Sequence, residues 1–182
     1  VNNNSYLKNA AIEGLLTEMA QDIRSRLDTA QISDPAMIGI HTGGAWLAER
    51  LHQGLAIGSP LGTLDISFYR DDFTRIGMNP EVKPSHIPFP VEDRHIILVD
   101  DVLHTGRTIR AAMNEIFDYG RPASIMLVSL VERSGRELPI QADVVGIHTP
   151  LDADQHITLS GPEPLALTIN QGGRNARKDC TT

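Results

Sequence analysis

Two adjacent carboxylates, Asp100 and Asp101, stand between an apolar run and a loop of small and hydroxylic residues. The surrounding stretch, Ile96 to Phe117, reads IILVDDVLHTGRTIRAAMNEIF. Ionised carboxylates are hydrogen-bond acceptors, suited to the two hydroxyls of a ribose and to the waters around a magnesium ion. Just beyond them, the backbone N–H groups of residues 104 to 108 can converge on a phosphate where a helix begins, and the helix dipole favours the anion. The hydroxyls of Thr105 and Thr108 add hydrogen bonds, Gly106 permits a tight turn, and Arg107 supplies positive charge. The loop lacks the Lys-Ser/Thr end of a Walker loop and the spaced glycines of a dinucleotide fingerprint. The chemistry predicted is binding of a phosphorylated sugar.

The elements that must hold this constellation are legible on either side of it. Ile96 to Val99 is a short unbroken apolar run, the pattern of a strand buried on both faces of a parallel sheet. The acids follow at its carboxyl end, then a tight loop from Val102 to Gly106, with Thr105 expected as the helix N-cap. Ile109, Ala112, Met113, Ile116 and Phe117 fall on one helical face, and Gly120 and Pro122 end the helix. An ordinary α/β strand ending in acids, as in receiver or hydrolase domains, is the competing reading. The agreement of acid pair, loop and change of period weighs against it.

The remaining elements build the same architecture. Ile12, Leu15, Leu16, Met19, Ile23 and Leu27 keep helical spacing within Asn9–Leu27, with charged residues off that face. Met37 to Ile40 reads as a buried strand, followed by His41-Thr42-Gly43-Gly44 and a helix from Ala45 to about Gln53. The small residues there suit either a plain tight turn or close approach of backbone to an anion. His41 is given no role, and Trp46 is expected against the sheet or a subunit interface. Leu64 to Tyr69 alternates as a half-buried strand, and Arg70 to Asp93 is a long connection with Pro80, Pro84, Pro88 and Pro90. Ser124–Val131 and Asp143–Ile147 read as further strands, and Ile157–Leu159 and Leu165–Ile169 as short β-prone pieces. The fold class is α/β, a central parallel sheet flanked by helices.

With 182 residues, a single domain over residues 1–170 and a flexible tail over 171–182 are expected. Nothing approaches a membrane span, and the stretch VNNNSYLKNAA lacks the apolar core of a signal peptide. The one cysteine, Cys180, excludes a disulfide framework, and a cytoplasmic setting is expected. A net charge of -7 does not advertise nucleic-acid binding.

The central stretch closely resembles the phosphoribosyl-pyrophosphate (PRPP) motif of type I phosphoribosyltransferases: four apolar residues, two acids, a short spacer, then Thr-Gly-x-Thr. Further phrases resemble the pyrimidine operon regulator family within that group: Leu64-Asp65-Ile66 with Phe68-Tyr69-Arg70-Asp71-Asp72, RPASIMLVSLVER, GRELPIQAD and VVGIHTP. The resemblance runs from about Ile12 to Ile169 and implies a type I phosphoribosyltransferase fold with a flexible lid and a small C-terminal hood. It implies a uracil phosphoribosyltransferase making uridine monophosphate (UMP) and pyrophosphate from uracil and PRPP, with magnesium as cofactor. Some members also bind leader RNA of pyrimidine genes. An RNA-binding regulator that senses nucleotide is therefore the alternative function, and transfer to a purine base a third.

Carried over by position, Asp100 and Asp101 hold the ribose hydroxyls and the water shell of the metal. Val102, Leu103, Thr105, Gly106, Arg107 and Thr108 wrap the 5′-phosphate, and Thr42, Gly43 and Gly44 meet the pyrophosphate. Arg70 of the lid reaches the substrate. The base is expected between the lid and the segment Val131 to Val145, read chiefly through backbone groups near Val144 and Val145. Related enzymes often have an aromatic residue at the position of Val144, which reads equally as a core residue. His104 reads either as an acceptor of the base proton or as a border of the phosphate. A homodimer or homotetramer is expected. Two departures stand out: Gly43 replaces the arginine usual in the pyrophosphate loop, and Gly135 and Gln141 are neutral where RNA-binding members carry His and Arg. RNA binding is therefore doubted.

Overall fold

The computed structural model describes residues 5–66, 84–152 and 154–171. Arg70, most of the predicted lid, and the tail beyond Gln171 lie outside the described residues. A five-stranded sheet has the order β3-β2-β4-β5-β6, built from β2 (Ala36–Ile40), β3 (Gly62–Leu64), β4 (His95–Leu103), β5 (Ser124–Arg133) and β6 (Val144–Thr149). Every pair in it is parallel. Helices α1 (Asn9–Thr29) and α2 (Gly43–Leu55) pack on one face, while α3 (Arg107–Tyr119) covers the other. A smaller antiparallel sheet, β1-β8-β7, combines β1 (Ser5–Lys8), β7 (Gln155–Ser160) and β8 (Ala166–Gln171).

Two apolar clusters hold these layers. Ile12, Leu16, Met19 and Ile23 of α1 join Leu47 and Leu51 of α2, Val99, and Leu159 and Leu167 of the small sheet. The small sheet is thus anchored to the α1–α2 face by the same apolar burial that seats the helices. On the opposite face, Ile109, Ala112 and Ile116 pack against Ile96, Leu98 and Leu127. Among the described residues, no helix is long and apolar enough to cross a membrane.

Several boundaries differ from the sequence reading. β4 runs on through the acids to Leu103, because β5 continues beside it at Val102↔Val131 and Leu103↔Glu132. α3 is capped by Gly106 rather than Thr105. The Thr105 carbonyl instead accepts the N–H groups of Glu137 (3.1 Å) and Leu138 (3.0 Å), and Gly106 accepts the first helical bond from Arg110 (2.9 Å). Phe117, expected on the buried face, is 53% exposed; it is rotated by about 100° from buried Ile116, past the edge of the stripe. The strand expected over Leu64–Tyr69 overlaps β3 only at Leu64, where β3 ends level with Ile40, the last residue of β2; Ser67 to Tyr69 lie outside the described residues. β1, SYLK, is too short to show a period in the sequence and forms by pairing with β8.

Candidate active site

Strand order fixes where a ligand can sit. β2 pairs with β4 only as far as Gly39↔Val99, after which its chain turns away into α2. The next strand in sequence, β3, lies on the far side of β2, so β2 and β4 mark the point where the winding reverses. In open α/β sheets the crevice at the carboxyl ends of such strands is the usual ligand site. Asp100 and Asp101 occupy it.

The two acids differ in setting. Asp100 is 1% exposed, and its Oδ1 accepts the Asp101 N–H at 3.0 Å. Asp101 is half-buried and faces the first turn of α2. There a Cβ added to Gly43 would lie 2.5 Å from Asp101 Oδ2, and one on Gly44 would lie 2.5 Å from the Val99 carbonyl oxygen. Only glycine at both positions lets α2 approach the acids this closely.

Beyond the acids, the loop is shaped from two sides. Fully buried Ser129 lies level with Asp100 on β5; its hydroxyl accepts the Leu103 N–H (3.1 Å) and donates to the Val131 carbonyl (2.8 Å). Gly106 takes a left-handed conformation, φ 90°, which favours glycine. The Arg107 N–H is 3.3 Å from the Thr105 hydroxyl oxygen, while Arg107 Nη2 and Nε donate to Glu137 Oε2 at 2.6 and 3.1 Å. His104 lies against Gly135, where an added Cβ would be 2.8 Å from its Nε2.

A cavity of about 630 Å³ opens over this loop and is lined by Asp100, Asp101, Val102, Leu103, His104, Thr105, Gly106, Arg107 and Thr108. The whole predicted central motif is therefore brought to one space. Gly43 and Gly44 border the acids rather than line it, and Thr42, the N-cap of α2, is not among its lining residues. Val144 is 2% exposed in the α1-side core, and with Val145 it borders a separate indentation beside Leu15 and Met19. The structure does not bring these two valines to the cavity.

Instead, the cavity is completed by Arg133 and Glu137, which fall within the Val131–Val145 segment expected beside the base, and by His156, Ile157 and Thr158, which were not assigned to the site from sequence. Arg133 closes β5 just after its apolar run, much as the acids follow the apolar run of β4, and that pattern is a signal legible in the sequence. The 156–158 segment had none, since only the packing of the small sheet carries it to the loop.

The acids also fit a magnesium ion. They supply hard oxygen donors, and among the described residues no group of three or more His, Cys, Asp or Glu could cage a metal. Magnesium suits such a site, because it keeps several waters and takes further ligands from substrate phosphates. Asp100 and Asp101 would hold it through its waters.

A family model described as a phosphoribosyl transferase domain matches residues 2–161. The chain belongs to the phosphoribosyltransferase family. Within it, the chain is 60% identical over 160 residues to the "Bifunctional protein PyrR" of Nitrosococcus oceani, covering 87% of this chain and 90% of that protein. The protein of the same name from Pseudomonas paraeruginosa is 57% identical over 153 residues, covering 84% and 90%. These identities place the chain in the PyrR group of phosphoribosyltransferases.

Solved structures agree on the fold. A purine phosphoribosyltransferase from Pyrococcus horikoshii superposes with a TM-score of 0.60 at 24% identity, covering 79% of this chain and 86% of that one. The HGPRT-ase of Leishmania tarentolae, solved in complex with GMP, gives 0.64 at 19% identity, covering 81% and 82%. The type I phosphoribosyltransferase fold expected from the central motif is the one observed.

Proposed function

We propose that this protein is a uracil phosphoribosyltransferase, which transfers the ribose 5-phosphate of PRPP to uracil. One observation carries the reading: the acid pair, the Thr-Gly loop and the start of α3 share a single cavity with the edge of the small sheet. In the reaction, N1 of uracil bonds to C1′ of the ribose as the C1′–oxygen bond to pyrophosphate breaks, and the N1 proton is released. Loop N–H groups and the Thr105 and Thr108 hydroxyls hold the 5′-phosphate, at the helix end where the dipole favours it. Asp100 and Asp101 accept hydrogen bonds from the ribose hydroxyls and so orient C1′. The base lies against residues 156–158, facing the sugar across the cavity. Magnesium, when bound, would supply positive charge to the departing pyrophosphate. Fixed donors and carboxylates contribute as a preorganised electrostatic environment, so the scheme uses no nucleophilic side chain.

A second reading is an RNA-binding regulator of pyrimidine genes that senses nucleotide. It is favoured by the word "bifunctional" in the names of the relatives and by exposed Arg136 beside the site. The first test is pyrophosphate release from PRPP with magnesium and each free base in turn. Uracil should support release above all others. Release with a purine alone, or with no base, would overturn the reading.

A further inference from the structure

Arg133 is the last residue of β5 and is 7% exposed, a buried cation at the carboxyl end of the sheet. Its Nη1 donates to the Gln155 carbonyl at 2.9 Å and its Nη2 to the Asp152 carbonyl at 3.4 Å. These carbonyls bracket the turn that enters β7. The turn closes on itself through Gln155 N–H to the Asp152 carbonyl and Asp152 N–H to Gln155 Oε1, both at 3.0 Å. Adjacent Ser134 holds the residue before it, donating to the Leu151 carbonyl at 3.0 Å and accepting the Leu151 N–H at 3.4 Å. Two consecutive residues at the end of β5 thus grip the connection between the two sheets.

Immediately downstream, His156, Ile157 and Thr158 line the cavity, as Arg133 itself does. A buried guanidinium requires acceptors, and here they are backbone carbonyls of the very segment that enters the cavity wall. Its planar fork serves two carbonyls at once, which the single point charge of a lysine does less well. The phosphate side is held by different contacts, from Thr105 to Glu137 and Leu138 and from Ser129 to Leu103. These hydrogen bonds are not the ones by which Arg133 and Ser134 hold residues 151–155.

We propose that Arg133 is a positioning residue for base recognition, fixing the 156–158 backbone so that it sets affinity for the base and not for the 5′-phosphate. This rests on the transferase reading above. It is tested by equilibrium binding of UMP and of ribose 5-phosphate to the full chain, in the parent and in Arg133→Met, Arg133→Lys and Ser134→Ala.

Arg133→Met should weaken UMP about tenfold or more while ribose 5-phosphate stays within about twofold. Arg133→Lys should fall between parent and Met, and Ser134→Ala should move UMP in the same direction by less. If Arg133→Met does not fold, the lysine and Ser134 variants decide by the same ratio of the two ligands. Equal weakening of both ligands, or no change in UMP, overturns the proposal alone. A parent that binds neither ligand overturns the transferase reading and this proposal with it.

Discussion

Gly43 and Asp101 are in direct apposition, with room for no side-chain carbon at position 43 unless the Asp101 carboxylate moves. The glycine that replaces an arginine of the family pattern is therefore tied to the placement of an acid of the central motif. Gly43→Ala should lower transfer, because a methyl 2.5 Å from Oδ2 forces the carboxylate aside. Restoring the family residue by Gly43→Arg should not raise activity in this background. Steady-state rates of pyrophosphate release decide it, and a faster Gly43→Arg enzyme would count against the apposition.

The acid pair should be needed for transfer. Asp100→Asn or Asp101→Asn is expected to reduce kcat/KM for PRPP by at least about tenfold, a loss of roughly 1.4 kcal/mol of transition-state stabilisation. Unchanged kinetics in both variants would remove the carboxylates from the mechanism.

Ser129 supports the loop from beneath, and its removal should register as stability as well as activity. Its hydroxyl is the partner of the Leu103 N–H inside the sheet, so Ser129→Ala strands a buried donor, at a cost of about 1–3 kcal/mol. A denaturant titration reads the loss, and a midpoint equal to the parent's would refute it.

The sequence made the central motif and its two flanking elements legible because one short segment contains them: apolar run, acids, loop, amphipathic helix. The fold class followed from the same logic, since buried strands alternating with helices leave few architectures. What stayed hidden depends on contacts distant in sequence. The extension of β4 to Leu103 and the shift of the cap to Gly106 are imposed by β5 and by the segment at Glu137–Leu138. The cavity wall at residues 156–158 arises in a strand whose own sequence carries no chemical signal, whereas Val144, expected near the base from the resemblance, lies in the core.

His104 should not act as the acceptor of the base proton. Its ring borders Gly135 on the loop side of the cavity, while the proposed base site lies along residues 156–158. The pH–rate profile of His104→Asn should keep the parent's shape, with any loss confined to KM for PRPP. Disappearance of a limb near neutral pH would assign the imidazole a catalytic role.

Pyrimidine leader RNA should bind weakly at physiological salt. RNA affinity depends on clustered cations that neutralise phosphates, and its loss with salt tracks the number of phosphates met. The chain has 16 Lys and Arg against 23 Asp and Glu, and Gly135 and Gln141 are neutral. Near them, Arg133 is buried against the carbonyls of Asp152 and Gln155, and Arg107 is paired with Glu137. Arg136 remains exposed on that loop, a thin basis for a polyanion. A filter-binding titration with the RNA upstream of the host's pyrimidine genes, with and without UMP, measures the affinity directly. Micromolar or weaker binding at about 0.15 M salt is expected, and nanomolar, UMP-dependent binding would put the regulator reading first.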